Sequence, residues 1–230
     1  MKTVEQMISL RIKYITILLL MMLINRRVNA QEIQSEAVKN PPVNVEVLLS
    51  NRGTTFQMLI DKKFSSFPKL GFFAVTNIVG EWDSNQVNDY MTQANLTFDL
   101  FKGLKLVGGF HMSSGTGIRP TSGLMYSYGN PDLLIVVYPR VDLSKDSNLE
   151  GLVLAEYKPK INDKWRFYSR VQGLYAYTMN IEKHARSYLQ VRAGLSYKEF
   201  TFGLGSNIDY YGPMKHNENS YGGFLSMLLF

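Results

Sequence analysis

From residue 43 to the C-terminus the chain alternates apolar and polar residues with a period of two, and no segment there sustains the 3.6-residue apolar repeat of a helix. In Gln93 to Leu100, Ala94, Leu96, Phe98 and Leu100 share one face while Gln93, Asn95, Thr97 and Asp99 share the other. Ser187 to Tyr197 repeats the pattern, with Leu189, Val191, Ala193 and Leu195 opposed to Gln190, Arg192, Gly194 and Ser196. Successive side chains of a strand point to opposite sides, so this reads as an all-β chain whose strands each have one greasy and one wet face. The aromatic content of 13% excludes intrinsic disorder. The absence of cysteine excludes disulfides, Cys-ligated zinc, iron–sulfur clusters and thiol catalysis.

Turn residues divide the alternating part into about twelve strands, within a range of roughly ten to fourteen. They fall at 43–50, 54–64, 69–80, 88–101, 104–113, 119–128, 132–140, 148–158, 164–178, 186–198, 199–210 and 220–230. Many exceed the five or six residues usual in soluble sheets and suit a tilted bilayer crossing, which needs ~9 to 11. Connections such as 65–68, 102–103 and 129–131 are short, whereas 81–87, 141–148 and 212–220 are longer and polar. Aromatic residues gather near strand ends: Phe64, Phe98, Phe101, Tyr128, Tyr157, Trp165, Tyr197, Phe200 and Phe230 on the short-turn side, Trp82, Tyr90, Tyr175, Tyr177, Tyr210 and Tyr221 on the other. Short turns at one rim, long loops at the other and two aromatic girdles predict a transmembrane antiparallel up-and-down β-barrel.

The N-terminus reads as an address. Lys2, Arg11 and Lys13 precede the apolar run from Ile15 to Ile24, and Val28-Asn29-Ala30 offers small residues where a signal peptidase would cut before Gln31. Arg26-Arg27 between run and cut is unusual, and leaves a retained anchor as the alternative. The domain reading is a signal peptide at 1–30, a flexible periplasmic leader at 31–42 ending in Pro41-Pro42, and a barrel over 43–230. Removing residues 1–30 leaves 20 basic and 18 acidic residues, so the net charge falls from +6 to +2. A nucleic-acid partner, which needs a basic stripe facing phosphates, thereby loses its compositional support.

In the last strand Gly222, Phe224, Ser226, Leu228 and the final residue Phe230 lie on one parity, although Leu225, Met227 and Leu229 make the other parity apolar too. With the signal peptide, this end resembles that of Gram-negative outer-membrane β-barrel proteins. The Tyr- and Lys-rich, Cys-free composition looks like their Bacteroidetes branch. The resemblance implies location in the cell outer membrane, outer-membrane lipid as surroundings, and insertion by the barrel-assembly machinery, with Phe224, Leu228 and Phe230 as the assembly signal.

If the apolar parity meets lipid, the lumen is lined by Glu46, Asp61, Lys63, Asp99, Lys105, Glu150, Glu156, Arg166, Arg170, Arg192 and Asp209. Charges facing hydrocarbon would cost ~2–4 kcal/mol each at the midplane for Arg or Lys. Arg166, Arg170 and Arg192 clustered on one wall, with acids opposite, would make a transverse field that orients polar solutes; inward Gly194, Gly203 and Gly205 would leave room beside them. Twelve strands lie between the eight that only side chains fill and the sixteen that enclose water. The porin-like reading is therefore a narrow transport channel for small polar solutes with a charged lumen. The alternative is a closed structural or partner-anchoring barrel. A second alternative is a lipid acyl hydrolase, since His111-Met112-Ser113-Ser114-Gly115 is similar to the His-x-Ser-Asn-Gly pattern of outer-membrane phospholipase A and lipid A deacylases. That resemblance implies His111 as base and Ser113 as nucleophile. Ser114 stands where that family has Asn, and the parity of His111 sends it toward the lumen, so an enzyme is not the expectation. His184 and His216 read as solvated loop residues, and Asp142, Lys145, Asp146 and Glu150 as a charged loop; neither group has metal spacing, and no cofactor or metal is expected.

Overall fold

A computed structural model describes residues 40–84, 87 and 89–230. The expected signal peptide, and the leader up to residue 39, lie outside the described residues. Twelve strands follow: β1 (Val43–Ser50), β2 (Gly53–Phe64), β3 (Phe67–Glu81), β4 (Asp89–Phe101), β5 (Leu104–Ser113), β6 (Gly117–Gly129), β7 (Leu133–Asp142), β8 (Asn148–Tyr157), β9 (Trp165–Thr178), β10 (Lys183–Tyr197), β11 (Phe200–Tyr211) and β12 (His216–Leu229). Each pairs antiparallel with the next, and β12 closes on β1 from Val43↔Leu229 to Ser50↔Gly222, which completes a barrel without a free edge. The strand count, the order and the all-β class agree with the alternation that predicts them.

The connections differ from expectation. On the rim expected to carry long loops, the β11–β12 link is only 212–215 and the β7–β8 link 143–147, while the opposite rim holds the longer 158–164. Residues such as His216 to Ser220 are polar, yet they pair with Asn207 to Tyr211 as strand. A polar sequence marks where a strand leaves the membrane, not where its ladder ends. The β10 start shows the same extension, with a bulge between His184 and Arg186 that resets the facing of the strand.

Burial is inverted relative to a soluble protein. Leu96, Leu106, Phe110, Leu124, Val153, Val171, Phe202 and Leu225 are exposed on the outside, and Leu204 is 75% exposed. Arg192, Glu46, Arg170, Gln190 and Asn207 are buried inside. Leaving a Leu- or Phe-sized side chain in water forgoes ~1.5–3 kcal/mol, so an apolar belt of this extent fits hydrocarbon surroundings. Exposed Phe64, Phe67, Phe101, Tyr128, Tyr157 and Phe200 ring one end of the belt, and Trp82, Tyr90, Tyr175, Tyr210 and Tyr221 the other. On β12, Phe224 and Ser226 are buried inside while Leu225 and Leu229 are exposed, so the parity holding Phe224 and Leu228 faces the lumen. Phe230 lies beyond the strand, 91% exposed.

Asn40 joins the barrel at its start. Its amide donates to the Lys63 carbonyl (3.1 Å) and accepts from the Lys63 amide (2.6 Å), and Lys62 Nζ donates to the Pro41 carbonyl (2.6 Å). The last residues of the leader are thus pinned to the end of β2.

Candidate functional site: the lumen

Two charged struts span the interior. Glu46 on β1 projects inward because it shares parity with buried Leu48. Its Oε1 accepts from Arg170 Nη2 on β9 and from Arg192 Nε on β10, both at 2.8 Å. β9 stands four places from β1 around the barrel, so the side chains bridge open interior rather than neighbouring strands. Arg192 Nη1 also donates to Asn207 Oδ1 (2.9 Å) and the Ser206 carbonyl (3.1 Å). Space for its stem comes from Gly205, where a Cβ would lie 2.8 Å from Arg192 Cδ. Leu48, Tyr168 and Phe224 pack against this cluster and close one side of the lumen.

The second strut lies toward the long-loop rim. Arg186 on β10 reaches Asp89 on β4, on the opposite wall, at 3.3 Å. It also bonds Asp209 (3.0 Å) and the Tyr211 hydroxyl (2.9 Å), while its guanidinium lies 4.6 Å from the Tyr211 ring centroid. Tyr211 in turn donates to Asp89 Oδ2 at 2.7 Å. Above it, Arg52 in the β1–β2 turn ties Glu81 (2.5 Å) to Glu218 (3.2 Å). Burial lowers the Arg52 pKa, but the two carboxylates outweigh it and hold it above the ordinary arginine value.

The other charged positions named from sequence form separate pairs. Asp61 accepts from Lys105 (3.1 Å), Lys63 pairs with Asp99, and Glu150 accepts from Arg140 Nε (2.8 Å). Glu156 accepts from the Tyr168 hydroxyl (2.9 Å) and pairs with Lys158 (2.6 Å). The expected three-arginine wall forms only in part: Arg170 and Arg192 stand side by side as cross-strand partners on β9 and β10, with the acid Glu46 reaching them from across the interior. Arg166 stays at the short-turn rim, donating to the carbonyls of Lys158 (2.8 Å) and Pro131 (2.7 Å) and pairing with Asp132. Repulsion between the neighbouring Arg170 and Arg192 is offset by the one carboxylate they share. Asp142 is not a loop charge but a buried residue of β7, bound to Arg140 (3.3 Å) and Arg119 (3.4 Å). His184 is not solvated either; its ring nitrogens contact the Gly212 carbonyl (2.7 Å) and Ser187 Oγ (3.0 Å). His216 is exposed but lies on β12.

The opposite side of the lumen is apolar. Phe73, Val75, Val107, Met125 and Tyr138 form a buried cluster, flanked by Leu59, Met91, Val136 and Leu152. Phe73 and Tyr138 meet edge-on, ring centroids 6.1 Å apart. Sequence reading passes over this wall because β3 and β8 are apolar on both parities, in Gly71-Phe72-Phe73-Ala74-Val75 and Leu152-Val153-Leu154-Ala155.

Three cavities follow one another through the interior, and the last of them lies against that wall. One of about 370 Å³ opens at the loop end beside Arg52, Glu81, Asp209 and Glu218. A second of about 180 Å³ shares Asp89, Ser114 and Tyr211 with the first. A third of about 300 Å³ shares Met91, Glu150, Leu174 and Tyr188 with the second and reaches Pro41 and Gly129 at the short-turn rim. The Arg186 strut stands where the first two meet. His111 and Ser113 both line the second cavity, but Ser113 Oγ is hydrogen-bonded to Thr116 Oγ1 (2.7 Å), and His111 Nδ1 has no partner among the described residues.

No protein-family model matches the chain, and no curated protein matches it. Among solved structures it is similar to the NanC porin, at 17% identity over 80% of this chain and 98% of that one with a TM-score of 0.48. It is similar to the KdgM porin at 13% identity, 80% and 97% coverage and a TM-score of 0.46. LpxR from Salmonella typhimurium follows at 8% identity, 82% and 99% coverage and a TM-score of 0.37. At these values the barrel's architecture rests on its own strand pairing.

Proposed function

We propose that the chain is an outer-membrane barrel that passes small solutes through a narrow, off-centre path. The observation that carries this reading is the end-to-end sharing of walls by the three cavities, from the acidic loop-side mouth to the short-turn rim. The Glu46–Arg170–Arg192 strut occupies the interior outside the three cavities, and the Arg186–Asp89 strut crosses the passage where the first two cavities meet. Location in the outer membrane is supported by the apolar belt and its aromatic girdles, and insertion by the barrel-assembly machinery goes with that location; of the residues expected to form its signal, Phe224 and Leu228 lie on the lumen-facing parity of β12. The Tyr- and Lys-rich, Cys-free composition is what favours a Bacteroidetes-type source.

A hydrolase would need Ser113 free and held by His111. Ser113 is instead engaged by Thr116, and both residues face the enclosed lumen rather than the lipid that carries acyl esters. Single-channel recording in planar bilayers tests the channel reading. Discrete small steps, enlarged by Arg186→Ala, are expected. A silent membrane with both proteins would leave a closed structural or partner-anchoring barrel.

A further inference from the structure

The third cavity is unlike the two above it. Its walls are mostly apolar, with Leu59, Phe73, Val75, Met125, Val136 and Leu152 among them; of its polar side chains Gln172 and Tyr188 bond each other, and the charged ones are Asp61 and Glu150. Two polar atoms on residues that line the space, Gln93 Oε1 and the Tyr138 hydroxyl, have no partner among the described residues; the residues are 4% and 2% exposed. A buried polar atom without a partner is costly, and a molecule supplying one hydrogen-bonding group would relieve it. A sugar would instead strand most of its hydroxyls against aliphatic walls. At about 300 Å³ the cavity lies at the small end of ligand pockets, room for one ring or a short chain.

We infer that this cavity is a binding site for a small uncharged molecule with an apolar body and a single hydroxyl, a phenol or a short-chain alcohol, whose hydroxyl meets Gln93 and Tyr138. As a statement about transported solutes it rests on the channel reading; as a binding site it does not. The recognition is by exclusion as much as by attraction. An apolar ring gains from leaving water for the Phe73–Tyr138 wall, while a polyhydroxylated solute must give up water contacts that this segment cannot replace.

The test is calorimetric titration of p-cresol and of glucose into the full barrel in lipid nanodiscs, with empty nanodiscs subtracted. Saturable binding of p-cresol at one site is expected, with none for glucose. Leu152→Trp and Val136→Trp each fill the cavity and are expected to abolish binding. Either variant suffices if it retains the heat-modifiable gel mobility of a closed barrel. Val153→Trp, on the adjacent lipid-facing position, is expected to leave binding unchanged. Gln93→Leu is expected to weaken it roughly tenfold, the worth of one hydrogen bond. Non-saturable uptake equal to that of empty nanodiscs, equal binding of glucose, or p-cresol binding indifferent to a folded cavity-filling variant would overturn the inference. Saturable binding in a barrel that never conducts would sink the channel and spare the site; conductance without p-cresol binding would do the reverse.

Discussion

Glu46→Gln tests the strut that closes half of the lumen. Glutamine keeps the length and one acceptor of Glu46, but removes the charge that faces two guanidiniums only 4% and 2% exposed. With N···O contacts of 2.8 Å the charge centres are about 4 Å apart, and at an effective dielectric of ~20 each attraction is worth ~4 kcal/mol before desolvation is subtracted. Burying the ions costs several kcal/mol apiece, so the intact cluster is close to neutral for stability, whereas removing one partner strands the others and costs ~3–5 kcal/mol. Urea unfolding in lipid vesicles, followed by the fluorescence of Trp82 and Trp165, reads that loss directly. Replacing all three together, Glu46→Met with Arg170→Leu and Arg192→Leu, is expected to recover most of it, because no charge then remains unpaired. A Glu46→Gln loss below ~1 kcal/mol, the range of an exposed pair, would refute the reasoning.

Arg186→Ala removes the cross-lumen contact to Asp89 and the stacking on Tyr211, so unitary conductance in planar bilayers is expected to rise; an unchanged or smaller step would place the constriction elsewhere. Gly205→Ala puts a methyl 2.8 Å from Arg192 Cδ and is expected to cost ~1–3 kcal/mol in urea unfolding, with the penalty disappearing in an Arg192→Ala background. Val191→Arg, facing lipid near the middle of β10, is expected to cost ~2–4 kcal/mol in the same assay. Ser113→Ala is expected to leave any phospholipid or lipid A hydrolysis by the purified protein unaltered; a loss of turnover would revive the hydrolase reading.

The shell of this molecule is written in its sequence more fully than its interior. Alternation in segments such as 93–100 and 187–197 reports facing directly, because one parity must meet a different solvent from the other. Where both sides are apolar that signal vanishes, and the lumen wall at Phe73, Val75, Leu152 and Leu154 becomes indistinguishable from the lipid face. Charge partners are harder still. Nothing local links Glu46 to Arg170 and Arg192, which lie more than a hundred residues along the chain. Only barrel closure, which brings β1 beside β12, sets them at reach. Arg186 goes unnoticed because it stands at the very start of the expected strand 186–198, next to polar residues that read as loop, and its partner Asp89 lies on the opposite wall with nothing local to link the two.

The inside-out arrangement is tested most directly by spin labels on single cysteines introduced one at a time at Leu152, Val153, Leu154 and Ala155 of the Cys-free chain in lipid vesicles. All four residues are apolar, so composition does not decide among them. Collision with lipid-dissolved oxygen is expected to be high at 153 and 155 and low at 152 and 154, a period-two pattern set by β8. A uniform profile, or one with the two pairs exchanged, would contradict the barrel's orientation toward lipid and with it the enclosed path.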